Sequence, residues 1–290
     1  MNRLMRVDDV ASPKLPLEVR HLWRQILRRA KNFLGHEPIF LPILLRLTPL
    51  GTSRQITAST DLVIEGFPRS GNTFTTFAIE DASGHELTIA SHVHQPCQIK
   101  LALARGLPTV LVVRDPVSAL ASYLVYDDRF SASTVIGEYC SYHRELVPYA
   151  ERLLICEFDE ITSHISSVIA RINLKFSMQI PAFDEDPSNV ERVLAQIERR
   201  HKLVHPGLDP VQSAASPQTD RRKITEQMRE ALLHPRNAAQ LADAQELFAY
   251  FSGIASRQRE SVSRRDPVGK VPGESSAKNV PTASVQQGRH

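Results

Sequence analysis

Leu62-Val63-Ile64-Glu65 runs straight into Gly66-Phe67-Pro68-Arg69-Ser70-Gly71-Asn72-Thr73, and a helical stretch follows from Thr73 to Glu80. An apolar strand that passes through a glycine-bounded loop into a helix makes an anion cradle. The glycines let the backbone wrap closely, successive N–H groups point inward, and the helix N-terminus adds about half a positive charge. A nucleotide phosphate or a sulfate ester suits that geometry. Against the nucleoside triphosphatase form G-x-x-x-x-G-K-[ST], the glycine spacing and Thr73 match, but Asn72 stands where the lysine would be. Transfer of a γ-phosphoryl group normally uses that lysine and a Mg²⁺-binding carboxylate. Here the cation is Arg69, inside the loop, so a kinase or nucleotidase using ATP and Mg²⁺ is the competing reading.

Four short apolar runs, Leu62 to Phe67, Leu87 to Ala90, Thr109 to Val113 and Leu153 to Cys156, read as strands buried on both faces of a parallel sheet. Between and after them, Thr73 to Glu80, Pro116 to Tyr126, Thr134 to Tyr149 and His164 to Ile172 read as helices. This alternation predicts an α/β fold, a three-layer sandwich with a central parallel sheet like that of phosphate-loop nucleoside triphosphate hydrolases. Later helical segments fall at Val190 to Arg200, Ile224 to Leu232 and Ala238 to Phe251. Beyond Gly253 no apolar period is evident, so residues 254–290 are expected to be a disordered tail and residues 51–253 the folded domain.

Residues 1–50 form an N-terminal docking segment. Val19, Leu22, Trp23, Ile26, Leu27, Ala30, Phe33 and Leu34 recur at helical steps with Arg20, Arg24, Arg28 and Lys31 opposite. This basic amphipathic helix over residues 18–34 either packs on the domain or makes peripheral contact with a membrane surface or a partner. Residues 1–34 carry +5 and residues 257–290 carry +4, so the remaining residues hold 3 − 5 − 4 = −6 of the net +3. Positive charge at the ends of the chain disfavours a nucleic-acid-binding core. Cys97, Cys140 and Cys156 form no CxxC pair, which argues against a disulfide framework or a cysteine zinc site. With no apolar run near the roughly 20 residues of a membrane span and no secretory signal, a cytoplasmic location is expected.

A second anion-binding element lies downstream. Val110-Leu111-Val112-Val113 ends in Arg114-Asp115-Pro116, where Asp115 can cap and Pro116 can start a helix. Arg114 then stands at the carboxyl edge of the sheet, where open parallel sheets bind ligands, in the same crevice as the loop. Ser118 and Ser122 share a face of the following helix and offer Arg114 a hydroxyl partner.

The loop Gly66 to Phe74, in register with Arg114-Asp115-Pro116 to Ser122, resembles the sulfotransferase family, in its bacterial-type form. The resemblance covers roughly residues 61–126. It implies that the loop residues Arg69, Ser70, Gly71, Asn72 and Thr73 hold the 5′-phosphosulfate of 3′-phosphoadenosine 5′-phosphosulfate (PAPS). Arg114 and Ser122 would hold the 3′-phosphate, Phe74 would pack near adenine, and Arg69 would stabilise the departing phosphate oxygen. The family's general base is a histidine that closes the intervening strand. Ser91-His92-Val93-His94-Gln95-Pro96 matches at His94, with His92 the alternative base. If the segment is extended, alternation puts both imidazoles on one side, and a two-histidine metal site competes. The basic cluster Arg221-Arg222-Lys223 is similar in charge and order to a late family element that reaches the 3′-phosphate, but lacks its glycine.

The reaction implied is metal-free transfer of a sulfuryl group from PAPS to a hydroxyl or amine of a carbohydrate or small-molecule acceptor. A non-catalytic nucleotide-binding or membrane-surface protein is the remaining alternative.

Overall fold

A computed structural model of the chain describes residues 34–40, 54–127, 130–204 and 221–265. Strands β1 (Leu62–Gly66), β2 (Ile89–Ser91), β3 (Thr109–Val113) and β4 (Leu154–Glu157) form one sheet in the order β2-β1-β3-β4. Every pairing is parallel, with Gly66 opposite Val112 and Val112 opposite Cys156. The helices are α1 (Asn72–Ala82), α2 (Pro96–Ala104), α3 (Pro116–Tyr126), α4 (Ala132–Leu146), α5 (Phe158–Ser163), α6 (Ile165–Phe176), α7 (Pro187–Val204), α8 (Arg221–Leu232) and α9 (Ala238–Arg265).

Successive strand residues enter two different cores, which is why the strands read as unbroken apolar runs. Leu111, Val113, Leu153 and Ile155 pack with Leu120, Leu124, Ile136, Tyr139 and Phe251. Leu62, Ile64, Val110, Val112, Leu154 and Cys156 pack with Ile79, Val168, Ile172 and Val193 on the other side. The architecture is α/β, a four-stranded all-parallel central sheet flanked by helices. The three cysteines are free and buried, and burial pushes the Cys97 and Cys156 thiols up to about 12.

Helix α2 was not marked by the sequence pattern. Its start signal is Pro96 after extended Gln95, but its apolar face spans little more than Ile99, Ala102 and Leu103. The expected boundary at Gly253 is overturned, because α9 runs through that glycine to Arg265. Phe251, Ile254 and Ala255 are buried. One turn on, Gln258 Oε1 accepts the Ile155 N–H at 3.0 Å and its Nε2 donates to Leu153 O at 2.9 Å. The helical period therefore continues, but its next inward position is a glutamine that satisfies the open edge of β4, so an apolar pattern misses it.

Residues 34–40 dock on α2 and α4. Cys97 N–H donates to Gly35 O at 2.9 Å, His36 Nδ1 lies 3.2 Å from Glu145, and Lys100 pairs with Glu145 and with Glu37. The expected basic helix lies outside the described residues except for Leu34, as do residues 266–290. No helix among the described residues is long and apolar enough to cross a membrane.

Candidate active site

The chain leaves β1 toward β2 on one side and β3 toward β4 on the other, so the gap between β1 and β3 is the switch point where parallel sheets open a crevice. Both predicted anion elements begin there. Gly66 is dictated by close approach, since a Cβ would sit 2.3 Å from Val112 O and 2.8 Å from Asn72 Oδ1. Gly71, with φ 104°, is the N-cap of α1 and supplies no side-chain cap. The first-turn N–H groups of α1 are thus left without a capping side chain at the end of the loop. Ser70 Oγ is fully buried and has no hydrogen-bond partner among the described residues.

Asn72 takes a different part from a phosphate-binding lysine. Its amide donates to Gly66 O at 3.1 Å and lies 3.4 Å from Phe67 O, so it closes the loop on itself. Phe67 anchors the loop from below, edge-on to Tyr123, Tyr139 and Tyr142. Phe74 is half-buried and packs against the core cluster beneath α1.

The two arginines meet, but not in the pairing expected. Ser122 Oγ accepts from Arg69 Nε at 3.0 Å, whereas Arg114 donates from Nη1 to the carbonyl of Arg69 at 2.9 Å and stacks 3.8 Å over Phe158. Arg69 has φ 68°, which throws its side chain across to α3 and over Tyr126 at 5.8 Å. Asp115 caps α3 by accepting Ser118 N–H at 2.8 Å. Arg69, Arg114 and Ser122 remain one cluster, linked through the Arg69 backbone.

The extended geometry expected for the two histidines is corrected. β2 stops at Ser91, and His92 and His94 adopt φ 65° and 55°. Their rings still lie near each other, 5.8 Å apart and edge-on, brought together by two left-handed residues rather than by strand alternation. Arg69, His92 and His94 are three of the five non-glycine residues with positive φ among the described residues. Each costs on the order of 1–3 kcal/mol, and such strain concentrates at functional sites.

The environments of the two imidazoles differ. His92 Nε2 shares a hydrogen bond with Thr73 Oγ1 at 3.0 Å and its Nδ1 another with Ser91 Oγ at 2.7 Å. Burial, with His94, Arg54 and Arg200 close by, pushes His92 down to about 3 and keeps it neutral. His94 Nδ1 donates to Gly66 O at 2.8 Å, so Nε2 is the nitrogen that can accept a proton. Among the described residues no group of three or more His, Cys, Asp or Glu gathers to hold a metal.

Two contributors were not seen in the sequence. Glu65, fully buried in β1, accepts N–H bonds from Val93 at 2.8 Å and His94 at 3.0 Å and from Gln98 Nε2 at 2.9 Å. Burial pushes its carboxyl up to about 8 against the pull of those donors. Its signal was a lone acid inside an apolar strand. The second is the last turn of α7. Arg192 pairs with Asp81 near the C-terminus of α1 at 2.7 Å, and at about 1.5 Å per residue the next two turns carry Arg200 and His201 back toward the loop end of α1. Burial depresses Arg54, His92 and His201 in the first place, and the Arg200 charge adds to it at Arg54 and His92 and the Arg69 charge at His201.

Arg222 and Lys223 are exposed in the first turn of α8, which packs on α3, the helix that carries Ser122. For Arg221 only the backbone is described. No protein-family model and no curated protein matches the chain.

Proposed function

We propose that the chain is a PAPS-dependent sulfotransferase on a three-layer, phosphate-loop sandwich, acting on a hydroxyl or amine of a carbohydrate or small-molecule acceptor. The observation that carries this reading is the meeting, at one switch point, of an uncapped glycine loop, the linked Arg69 and Arg114, and an imidazole whose Nδ1 lies 2.8 Å from the Gly66 carbonyl. The cradle fits the donor. Its glycines leave no room for a Cβ at Gly66, its helix end has no side-chain cap, and Ser70 Oγ is buried without a partner among the described residues. Asn72, committed to the loop carbonyls, leaves cationic work to arginine, which favours sulfuryl over γ-phosphoryl transfer.

PAPS, when bound, supplies the sulfuryl group and departs as 3′-phosphoadenosine 5′-phosphate (PAP). The N–H groups of residues 70–73 and the Arg69 guanidinium hold the 5′ end and offset the charge that grows on the leaving oxygen. Arg114 supplies a second cation for the 3′-phosphate, joined through Arg69 to Ser122, with Arg222 and Lys223 on α8, the helix that packs on α3. His94 Nε2 removes the acceptor's proton. His92, neutral and engaged at both nitrogens, holds Thr73 in place.

Turnover of PAPS labelled in the sulfuryl group, in the presence of an acceptor panel, tests the assignment. His94→Ala should lower turnover by about 10²- to 10⁴-fold and leave PAP binding unchanged. Turnover retained in His94→Ala, or equal loss in His92→Ala alone, would move the base away from His94.

A further inference from the structure

We infer that Glu65 is a positioning residue for His94, acting through the backbone of the strained turn that follows β2. For its catalytic meaning this rests on the sulfotransferase reading; for its geometry it does not. Glu65 belongs to the central strand, two residues after Val63, whose side chain lies in the small apolar cluster with Ala90 and Ala102. At that position a buried acid serves packing poorly, yet its hydrogen bonds from Val93, His94 and Gln98 lead to one place. One carboxyl oxygen accepts the Val93 N–H and the Gln98 amide, and the other accepts the His94 N–H. Gln98 in turn donates to Arg54 O at 3.2 Å, and Arg54 is bridged to Ser91 through both backbone groups. The end of β2 and the start of α2 are thus tied to β1 around a single carboxyl group.

The residues so tied are the ones least able to hold their shape unaided, because His92 and His94 on either side of Val93 both have positive φ. Glu65 fixes the His94 N–H, and the next residue along β1, Gly66, offers the carbonyl that accepts His94 Nδ1–H. Backbone and ring of His94 are therefore referenced to two consecutive residues of the same strand. Glu65 Oε2 lies 3.9 Å from His94 Nδ1, beyond hydrogen-bond reach, so it is not a proton relay of the triad kind. It sets the tautomer indirectly, by placing the ring where Gly66 O receives the Nδ1 proton.

The test is histidine side-chain ¹⁵N NMR on the full chain, which reads the tautomer of each imidazole without an acceptor, alongside calorimetric titration with PAP. Wild type should show His94 as the Nδ1–H tautomer. Glu65→Leu, which removes both acceptors, should move it toward the Nε2–H form that free imidazole prefers, with PAP affinity changed less than about threefold. Glu65→Gln, which restores an acceptor, should recover much of the wild-type signal. An unchanged His94 tautomer in Glu65→Leu, or a parallel collapse of PAP affinity, overturns the inference. Should Glu65→Leu not fold, Gln98→Leu takes its place, with a smaller shift in the same direction supporting the role and no shift refuting it. Failure of the sulfotransferase reading would show separately, as wild type that does not bind PAP yet has the predicted tautomer.

Discussion

Gly66 shows how little freedom the loop has. Because a Cβ there would sit 2.3 Å from the Val112 carbonyl of the adjoining strand, Gly66→Ala forces β1 and β3 apart where Arg69 and Arg114 must meet. It should cost about 1–3 kcal/mol in a urea melt and weaken PAP binding as well; an unchanged midpoint would show that the strands give way freely. At this scale the site was legible wherever chemistry shows in the residue type itself: two glycines, Arg69, Arg114 and His94. It was illegible where the role depends on three-dimensional company. Glu65 reads as an interruption in an apolar strand, and no sequence period announces that His92 and His94 leave the extended region. Ser122 was expected as a partner of Arg114 and hydrogen-bonds Arg69, since helix spacing fixes its face and not which guanidinium swings onto it.

The strand-loop-helix unit and β3 with α3 were legible as elements because each combines a continuous apolar run with an explicit start signal. The α9 extension was not, since its inward residue beyond Ala255 is polar. Gln258 completes the edge of β4 through both Ile155 N–H and Leu153 O, and Arg171 Nη2 donates to Ile155 O at 2.7 Å beside it. Gln258→Ala would leave buried backbone groups unpaired, and should destabilise the domain by about 1–3 kcal/mol with PAP binding unaffected. Chemical denaturation checks this, and a change within about 0.5 kcal/mol, typical of a surface site, would show that the helix beyond Gly253 does not hold the sheet edge.

For the molecule as a whole, buried titratable groups set opposing pH slopes. His92 at about 3 and His143 at about 4 lie below their unfolded value of 6.5, so their stabilisation is present above pH 6.5 and lost as pH falls. Glu65, raised to about 8 from 4.5, contributes most below pH 4.5 and loses that contribution as pH rises toward 8. Between pH 4.5 and 6.5 the unfolded chain takes up protons on His92, His143 and His201 that the folded chain resists, while the folded chain holds one on Glu65. The histidines outweigh the acid, so stability rises with pH. Above pH 6.5 only the Glu65 slope remains and stability falls, which puts the maximum near pH 6.5. Denaturation midpoints from pH 4.5 to 8.5 should trace that peak, with the acid limb flattened in His143→Phe; a flat or monotonic profile would contradict the balance. The central claim, that two arginines and a glycine loop form a PAPS site, is tested most directly by thermal unfolding with PAP against ATP plus Mg²⁺. PAP at 100 times its Kd should add about 2.7 kcal/mol, a rise of about 5–10 °C, and Arg114→Ala should abolish most of it by removing a charge-assisted contact of roughly 1.5–3 kcal/mol. Stabilisation by ATP with Mg²⁺ alone, or by neither ligand, would contradict the account.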